Sequence, residues 1–119
     1  MLFRSNISSG AARNGYSGWS AYCATKAAVD LMTESVQIEE EEHGLLRAYS
    51  VAPGVIDTDM QAVIRECRIE DFPMVEKFRD LKARDAFNTP EFVAQKLLDI
   101  AFDESARPES VRTSLPYAG

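Results

Sequence analysis

The stretch Leu45–Ala52 does most to fix what this chain can become. It reads Leu-Leu-Arg-Ala-Tyr-Ser-Val-Ala and is stopped by Pro53-Gly54. Its near-continuous apolar character, broken by Arg47 and Ser50, suits a parallel strand covered on both faces rather than a strand with one face in water. A long helix is expected immediately before it, over about 21–42. Ser20 is the candidate N-cap and Gly44 the natural stop. Ala24, Ala27, Ala28, Leu31, Met32, Ser35 and Val36 form a small-then-large stripe at helical spacing.

The rest of the chain follows the same alternation. Residues 3–8 read as the end of a buried strand, and Gly10–Gly18 as a loop. Asp57 or Thr58 caps a helix over about 59–68, and residues 72–82 form another. Thr89-Pro90-Glu91 is a cap, a first-turn proline and an acid in order, opening a helix to about Phe102 with Phe92, Val93, Leu97, Leu98 and Ala101 inward. A last short strand falls near 111–115. The predicted class is α/β, with three parallel strands and the second beside the first. The 119 residues suffice for one domain with a modest core.

Charge and composition exclude several functions. A net charge of −6 offers no basic stripe for nucleic acid or an anionic membrane. No apolar run approaches a membrane span. Cys23 and Cys67 lack metal-ligand spacing and have only His43 for company, which suits a reducing cytoplasm; no metal site is expected. Glu39–Glu42 reads as a solvated last helical turn, with His43 exposed. Cys23 reads as a buried structural thiol, and Met32 and the aromatic positions as core.

Tyr22 and Lys26 are the chemically informative pair. Four apart on a helix, they share one face. A free phenol titrates near pH 10, and a neighbouring ammonium favours the phenolate form. The pair is thus a candidate acid/base, with Ser9 as a hydroxyl to hold a substrate oxygen.

Three elements occur in order: Asn6-Ile7-Ser8-Ser9, then Tyr22-x-x-x-Lys26 thirteen residues after Ser9, then Pro53-Gly54-x-x-x-Thr58. In this the chain, from Asn6 onward, resembles the C-terminal half of a short-chain dehydrogenase/reductase. Within that family, Gly18–Ala24, Ala52–Gln61 and Ala94–Leu98 are similar to the sepiapterin reductase branch and its microbial carbonyl- and diketone-reducing, benzil reductase-like relatives. The resemblance implies the C-terminal part of a Rossmann-like, doubly wound parallel sheet. It implies NADP(H) rather than NAD(H) as cofactor, a small-molecule carbonyl substrate, and a homo-oligomer when full length. It also implies roles. Ser9 would bind the substrate carbonyl and Tyr22 would donate the proton. Lys26 would support Tyr22 and bind the nicotinamide ribose. Pro53, Gly54, Val55, Ile56 and Thr58 would hold the nicotinamide end, and Trp19 would wall the substrate pocket or plug a loop.

The family's pyrophosphate-binding glycine-rich turn has no counterpart here, since Gly10, Gly15 and Gly18 have other spacing and follow another strand. Residues 1–119 are therefore expected to be a single partial domain whose N-terminal half is missing, the product of an incomplete gene or of trimming, and inactive alone. The alternative expectation is a non-catalytic assembly fragment that keeps the motif by descent. Val111–Gly119 contains no acid, which counts against a pterin substrate.

Overall fold

The computed structural model describes residues 2–119. Three strands, β1 (Leu2–Ile7), β2 (Leu46–Ala52) and β3 (Arg112–Ser114), form one sheet in the order β1-β2-β3. Both pairings are parallel, with Ile7 opposite Val51 and Val51 opposite Thr113. The α/β class, the parallel pairing and the adjacency of the first two strands are as the sequence predicts. The helices are α1 (Ser20–Glu40), α2 (Asp59–Glu66), α3 (Val75–Ala83) and α4 (Pro90–Phe102).

β2 is buried from Ala48 to Ala52, and its two faces meet different partners. Tyr49 and Val51 join Ile100 of α4 in an apolar cluster, with Phe3, Leu97 and Leu115 against it. The opposite face carries the small residues Ala48 and Ser50, and there α1 lies. A separate cluster, Ile64, Phe72, Val75 and Phe78, joins α2 and α3, with Trp19 packed on it.

The face that α1 turns to the sheet is polar. Its buried residues are Asp30, Thr33 and Gln37, which follow Lys26 at helical spacing. Thr33 Oγ1 accepts from Asn6 Nδ2 at 2.8 Å, and Gln37 Oε1 accepts from the Ala48 amide at 2.7 Å. Asp30 Oδ1 accepts from Ser8 Oγ and Ser50 Oγ at 2.5 and 2.6 Å. Buried polar groups are tolerated because they are paired in this way.

This corrects the sequence reading of Met32 as core. The Ala/Leu/Met stripe faces away from the sheet, leaving Leu31 59% and Met32 53% exposed. Total accessible surface is 7502 Å², whereas a monomer of this mass is expected to expose about 6,400 Å². The surplus is apolar in part: Leu2, Ile38 and Leu45 are also exposed.

Other boundaries shift. Ser20 is not the N-cap; it is the first helical residue, Trp19 holds the cap position without a side-chain bond, and the Trp19 carbonyl accepts from Cys23 N. The helix ends at Glu40 rather than 42. There the Gly44 amide closes onto Glu40 O at 2.8 Å, with Gly44 in the left-handed region at φ +64°. Thr89 caps α4 as expected, its Oγ1 accepting from Phe92 N at 3.1 Å. Leu98 is 52% exposed, not inward, because the buried stripe runs through Val93, Leu97 and Ile100. Cys23 is half-buried rather than fully buried, its Sγ 3.6 Å from Asn14 O. Among the described residues no cluster of metal-ligating side chains occurs, and no helix is long and apolar enough to cross a membrane.

Candidate active site

The site lies beyond the carboxyl ends of β1 and β2, where the chain leaves the sheet. β1 delivers Ser8 and Ser9. Ser8 is buried, its amide bonded to Val51 O at 2.8 Å and its hydroxyl to Asp30. Ser9 is only partly buried and has extended backbone (φ −157°, ψ 158°). It caps the short turn Gly10–Ala12, its Oγ accepting from Ala11 N at 3.1 Å. A hydroxyl that accepts locally keeps its own proton available to donate.

Tyr22 is in the first turn of α1 and half-buried. The Trp19 ring meets it edge-on at 5.2 Å between centroids, and Trp19 is itself stacked on Phe72 at 4.8 Å with planes 7° apart. Trp19 is therefore both a wall of the site and part of the aromatic packing that braces Tyr22. Lys26 Nζ lies 5.9 Å from the Tyr22 ring centroid and donates to Ile7 O at 3.0 Å.

After β2, Pro53-Gly54 turns the chain outward, Gly54 at φ +81°, where a glycine is favoured. Thr58 occupies the N-cap position of α2, but its side chain makes no capping bond. Asp57 does not cap either. Lys82 binds Asp57 Oδ2, and Arg65 binds Oδ1 at 3.1 Å. The Lys82 ammonium, above all, holds the Asp57 carboxyl below its ordinary value; lost hydration opposes it and ranks second, ahead of the further lowering by the Arg65 guanidinium.

These segments enclose a cavity of about 470 Å³. Ser9, Trp19, Tyr22, Lys26, Pro53, Gly54, Val55, Ile56 and Thr58 all line it, so the candidate site residues named from the sequence lie around one cavity. Tyr16, Met60, Phe78 and Leu115 add apolar wall, and among the described residues Lys26 is the sole charged one in the lining. The cavity is lined by a phenol, an ammonium and a hydroxyl, groups of the kind that can protonate an oxygen as negative charge develops on it.

Sequence reasoning missed the supports. Asp30 is fully buried, bonds both Ser8 and Ser50, and has Arg13 Nε 3.7 Å from its second oxygen. Its signal was present: an acid two turns after Tyr22 on the same helical face. Asn88 is likewise buried and bonds Pro53 O; nothing local in the sequence marks it.

Comparisons with known proteins agree with this geometry. The family model for short chain dehydrogenases matches residues 5–68, which carry the serines, Tyr22, Lys26 and the Pro53–Thr58 loop. The chain is 46% identical over 96 residues to a benzil reductase ((S)-benzoin forming) of Bacillus subtilis, covering 80% of this chain and 40% of that protein. It is 40% identical over 95 residues to the sepiapterin reductase of Mus musculus, covering 80% and 35% respectively. The chain thus spans well under half the length of these relatives. Among solved structures, the KRED1-Pglu enzyme superposes with a TM-score of 0.79 at 35% identity, over 93% of this chain and 46% of that one. A Saccharomyces cerevisiae short chain dehydrogenase/reductase does so with a TM-score of 0.79 at 28% identity, over 98% and 46%. The parallel sheet is accordingly the corresponding part of a Rossmann-like domain. With its ordered motifs gathered on one cavity and the family match running through all of them, the chain belongs to the short-chain dehydrogenase/reductase family.

Proposed function

We propose that residues 1–119 are the C-terminal catalytic half of a Rossmann-like domain, and that the domain is an NADPH-dependent carbonyl reductase. One observation carries this reading: Ser9, Tyr22 and Lys26 share a cavity with the Pro53–Ile56 loop and Thr58. That cavity suits the nicotinamide end of a dinucleotide. Lys26 supplies a donor for ribose hydroxyls, the loop supplies backbone, and Thr58 has a hydroxyl not engaged in capping. Among the described residues no glycine-rich turn leads from a strand into a helix to take the pyrophosphate. On this reading the adenine end is not held by residues 2–119.

When bound, the nicotinamide supplies hydride to the carbonyl carbon. The chain's own residues manage the oxygen. Ser9 Oγ donates a hydrogen bond to the carbonyl and holds it beside the Tyr22 hydroxyl. Tyr22 gives its proton to the oxygen as charge builds there. Lys26, anchored to Ile7 O, stabilises the tyrosinate left behind.

The lining also limits the substrate. Tyr16, Trp19, Met60 and Phe78 present apolar and aromatic surface, and among the described residues no carboxylate lines the cavity. A neutral ketone or diketone with an apolar or aromatic substituent suits this wall better than a pterin, whose amino groups call for an acid. NADPH as the preferred cofactor is what the resemblance of Gly18–Ala24 and Ala52–Gln61 to the sepiapterin reductase branch implies. A homo-oligomer is supported by the apolar outer face of α1, and a cytoplasmic setting by two free cysteines.

The test is a graft. These residues replace the matching stretch of the Bacillus subtilis benzil reductase, and the product is assayed with NADPH, NADH and a diaryl diketone. Turnover of the diketone is expected. A folded graft that binds the cofactor yet reduces no carbonyl would sink the proposal.

A further inference from the structure

We propose that Asn88 is a positioning residue for the cofactor-facing loop, and that through it the C-terminal residues Pro116–Ala118 belong to the frame of the site. This rests on the reading of the Pro53–Ile56 loop as cofactor-facing.

Asn88 does not line the cavity. It sits on the far side of the loop, in a second hollow shared with Gly54, Val55 and Tyr117. It is 3% exposed, and every polar group of its side chain is used. Nδ2 donates to Pro53 O and to Pro116 O, each at 3.0 Å, and Oδ1 accepts from Ala118 N at 2.9 Å. An asparagine amide carries two donor hydrogens and one acceptor oxygen, so one side chain joins two segments that are far apart in sequence. Its backbone adds to the grip. Asn88 N donates to Val55 O at 2.9 Å, and Ile56 pairs with Asn88 as an isolated parallel bridge.

The fit is close. A Cβ on Gly54 would stand 2.9 Å from Asn88 Nδ2, so the glycine is needed for the approach as well as for its φ of +81°. The loop is thereby held by its carbonyls from behind while its front faces the cavity. A loop connecting a strand to a helix is ordinarily among the more mobile parts of a fold. Here two hydrogen bonds from Asn88 hold it, at Pro53 O and Val55 O, and two more tie the same residue to Pro116 and Ala118. Such fixing reduces the ordering cost of binding, and its loss raises KM rather than lowering kcat.

Two measurements test the proposal. The first is amide hydrogen exchange on the 119-residue chain itself, comparing the parent with Asn88→Ala, Asn88→Asp and a chain ending at Leu115. Asn88→Ala should speed exchange of the amide of residue 88, which donates to Val55 O, by about tenfold or more and leave β2 protected. Asn88→Asp keeps the acceptor for Ala118 and loses both donors, so it should free the loop as much. The chain ending at Leu115 should loosen the loop by a smaller factor, because Pro53 remains bonded. The second measurement is made on the graft: Asn88→Ala should raise KM for NADPH about tenfold with kcat within about twofold. Unchanged loop exchange in all three variants would overturn the proposal, as would an unchanged KM in the graft. If Asn88→Ala fails to fold, the Leu115-terminated chain decides the matter alone. An inactive parent graft would overturn the functional reading, while the exchange rates still decide whether Asn88 clamps the loop.

Discussion

Lys26 Nζ is tied to the carbonyl oxygen of Ile7 by a 3.0 Å hydrogen bond, which joins the second turn of α1 to the end of β1 two residues before Ser9. The ammonium is thus fixed from the strand side and stands 5.9 Å from the Tyr22 ring centroid. Replacing it should act on binding and chemistry together. In the graft, Lys26→Ala should lower kcat/KM by roughly 10²-fold or more, with KM for NADPH raised. Lys26→Arg should recover only part, since a planar guanidinium cannot reproduce a point donor on a flexible stem. Steady-state kinetics at varied NADPH reads both.

Tyr22→Phe separates chemistry from folding. The ring keeps its edge-on contact with Trp19, and among the described residues the Tyr22 hydroxyl makes no hydrogen bond. Turnover should fall by about 10²–10⁴-fold while the melting temperature stays within a degree or two of the parent. A variant retaining most of its turnover would remove Tyr22 from the mechanism.

Asp30 should be the most sensitive structural position. Asp30→Ala leaves the buried Ser8 and Ser50 hydroxyls without their acceptor. A loss on the order of 3 kcal/mol is expected from urea denaturation of the graft. Asp30→Asn keeps an acceptor oxygen and should lose less. Because Ser8 precedes Ser9, the folded Asp30→Asn protein should also show a lower kcat.

Asp57 gives a pH signature. Its carboxyl is held below the ordinary 3.8 by Lys82 first and Arg65 second. A depressed carboxylate pKa stabilises the fold at pH above the unfolded value, and that stabilisation disappears as pH falls through the folded value. Melting temperatures of the parent and Asp57→Asn should therefore differ near pH 7 and converge below about pH 3.8. The ion pairs are exposed, so added salt should narrow the gap at pH 7. A difference that persists undiminished at pH 3 would assign the effect of the substitution to something other than these charges.

The chain alone should associate and should ignore cofactor. Its accessible surface exceeds that expected of a monomer of its mass by about 1,100 Å², and the outer face of α1 exposes Leu31 and Met32. Sedimentation velocity should show dimers or larger species, and Leu31→Glu should shift the population toward monomer. Millimolar NADPH should not raise the melting temperature. A clear stabilisation would show that the nicotinamide end binds without the pyrophosphate site.

The parts of this molecule that could be read from the sequence are those with local signatures. β2 was visible in its apolar run, α4 in Thr89-Pro90, and the site in three ordered motifs. The supports were hidden for two physical reasons. Periodicity assigns the apolar stripe of a helix to the core, and α1 reverses that: Asp30, Thr33 and Gln37 face the sheet while Leu31 and Met32 face out. Asn88 acts on Pro53 and Pro116, 35 and 28 residues away, and only the folded chain brings these together. The misplaced caps at Ser20 and Asp57 have a simpler cause. Both residues are good cap types, but Asp57 has two cations within reach and Ser20 lies one position inside the helix.

The polar seam between α1 and the sheet has a mechanical consequence. Apolar side chains slide past one another at little cost, so a greasy interface sets distance better than it sets phase. Hydrogen bonds are directional, and those made by Thr33, Asp30 and Gln37 to Asn6, Ser8, Ser50 and Ala48 index the helix against the strands in both rotation and translation. Tyr22 and Lys26 ride on that same rod. Whatever presses on its outer face can do so without turning Tyr22 and Lys26, because the indexing is done from the other side.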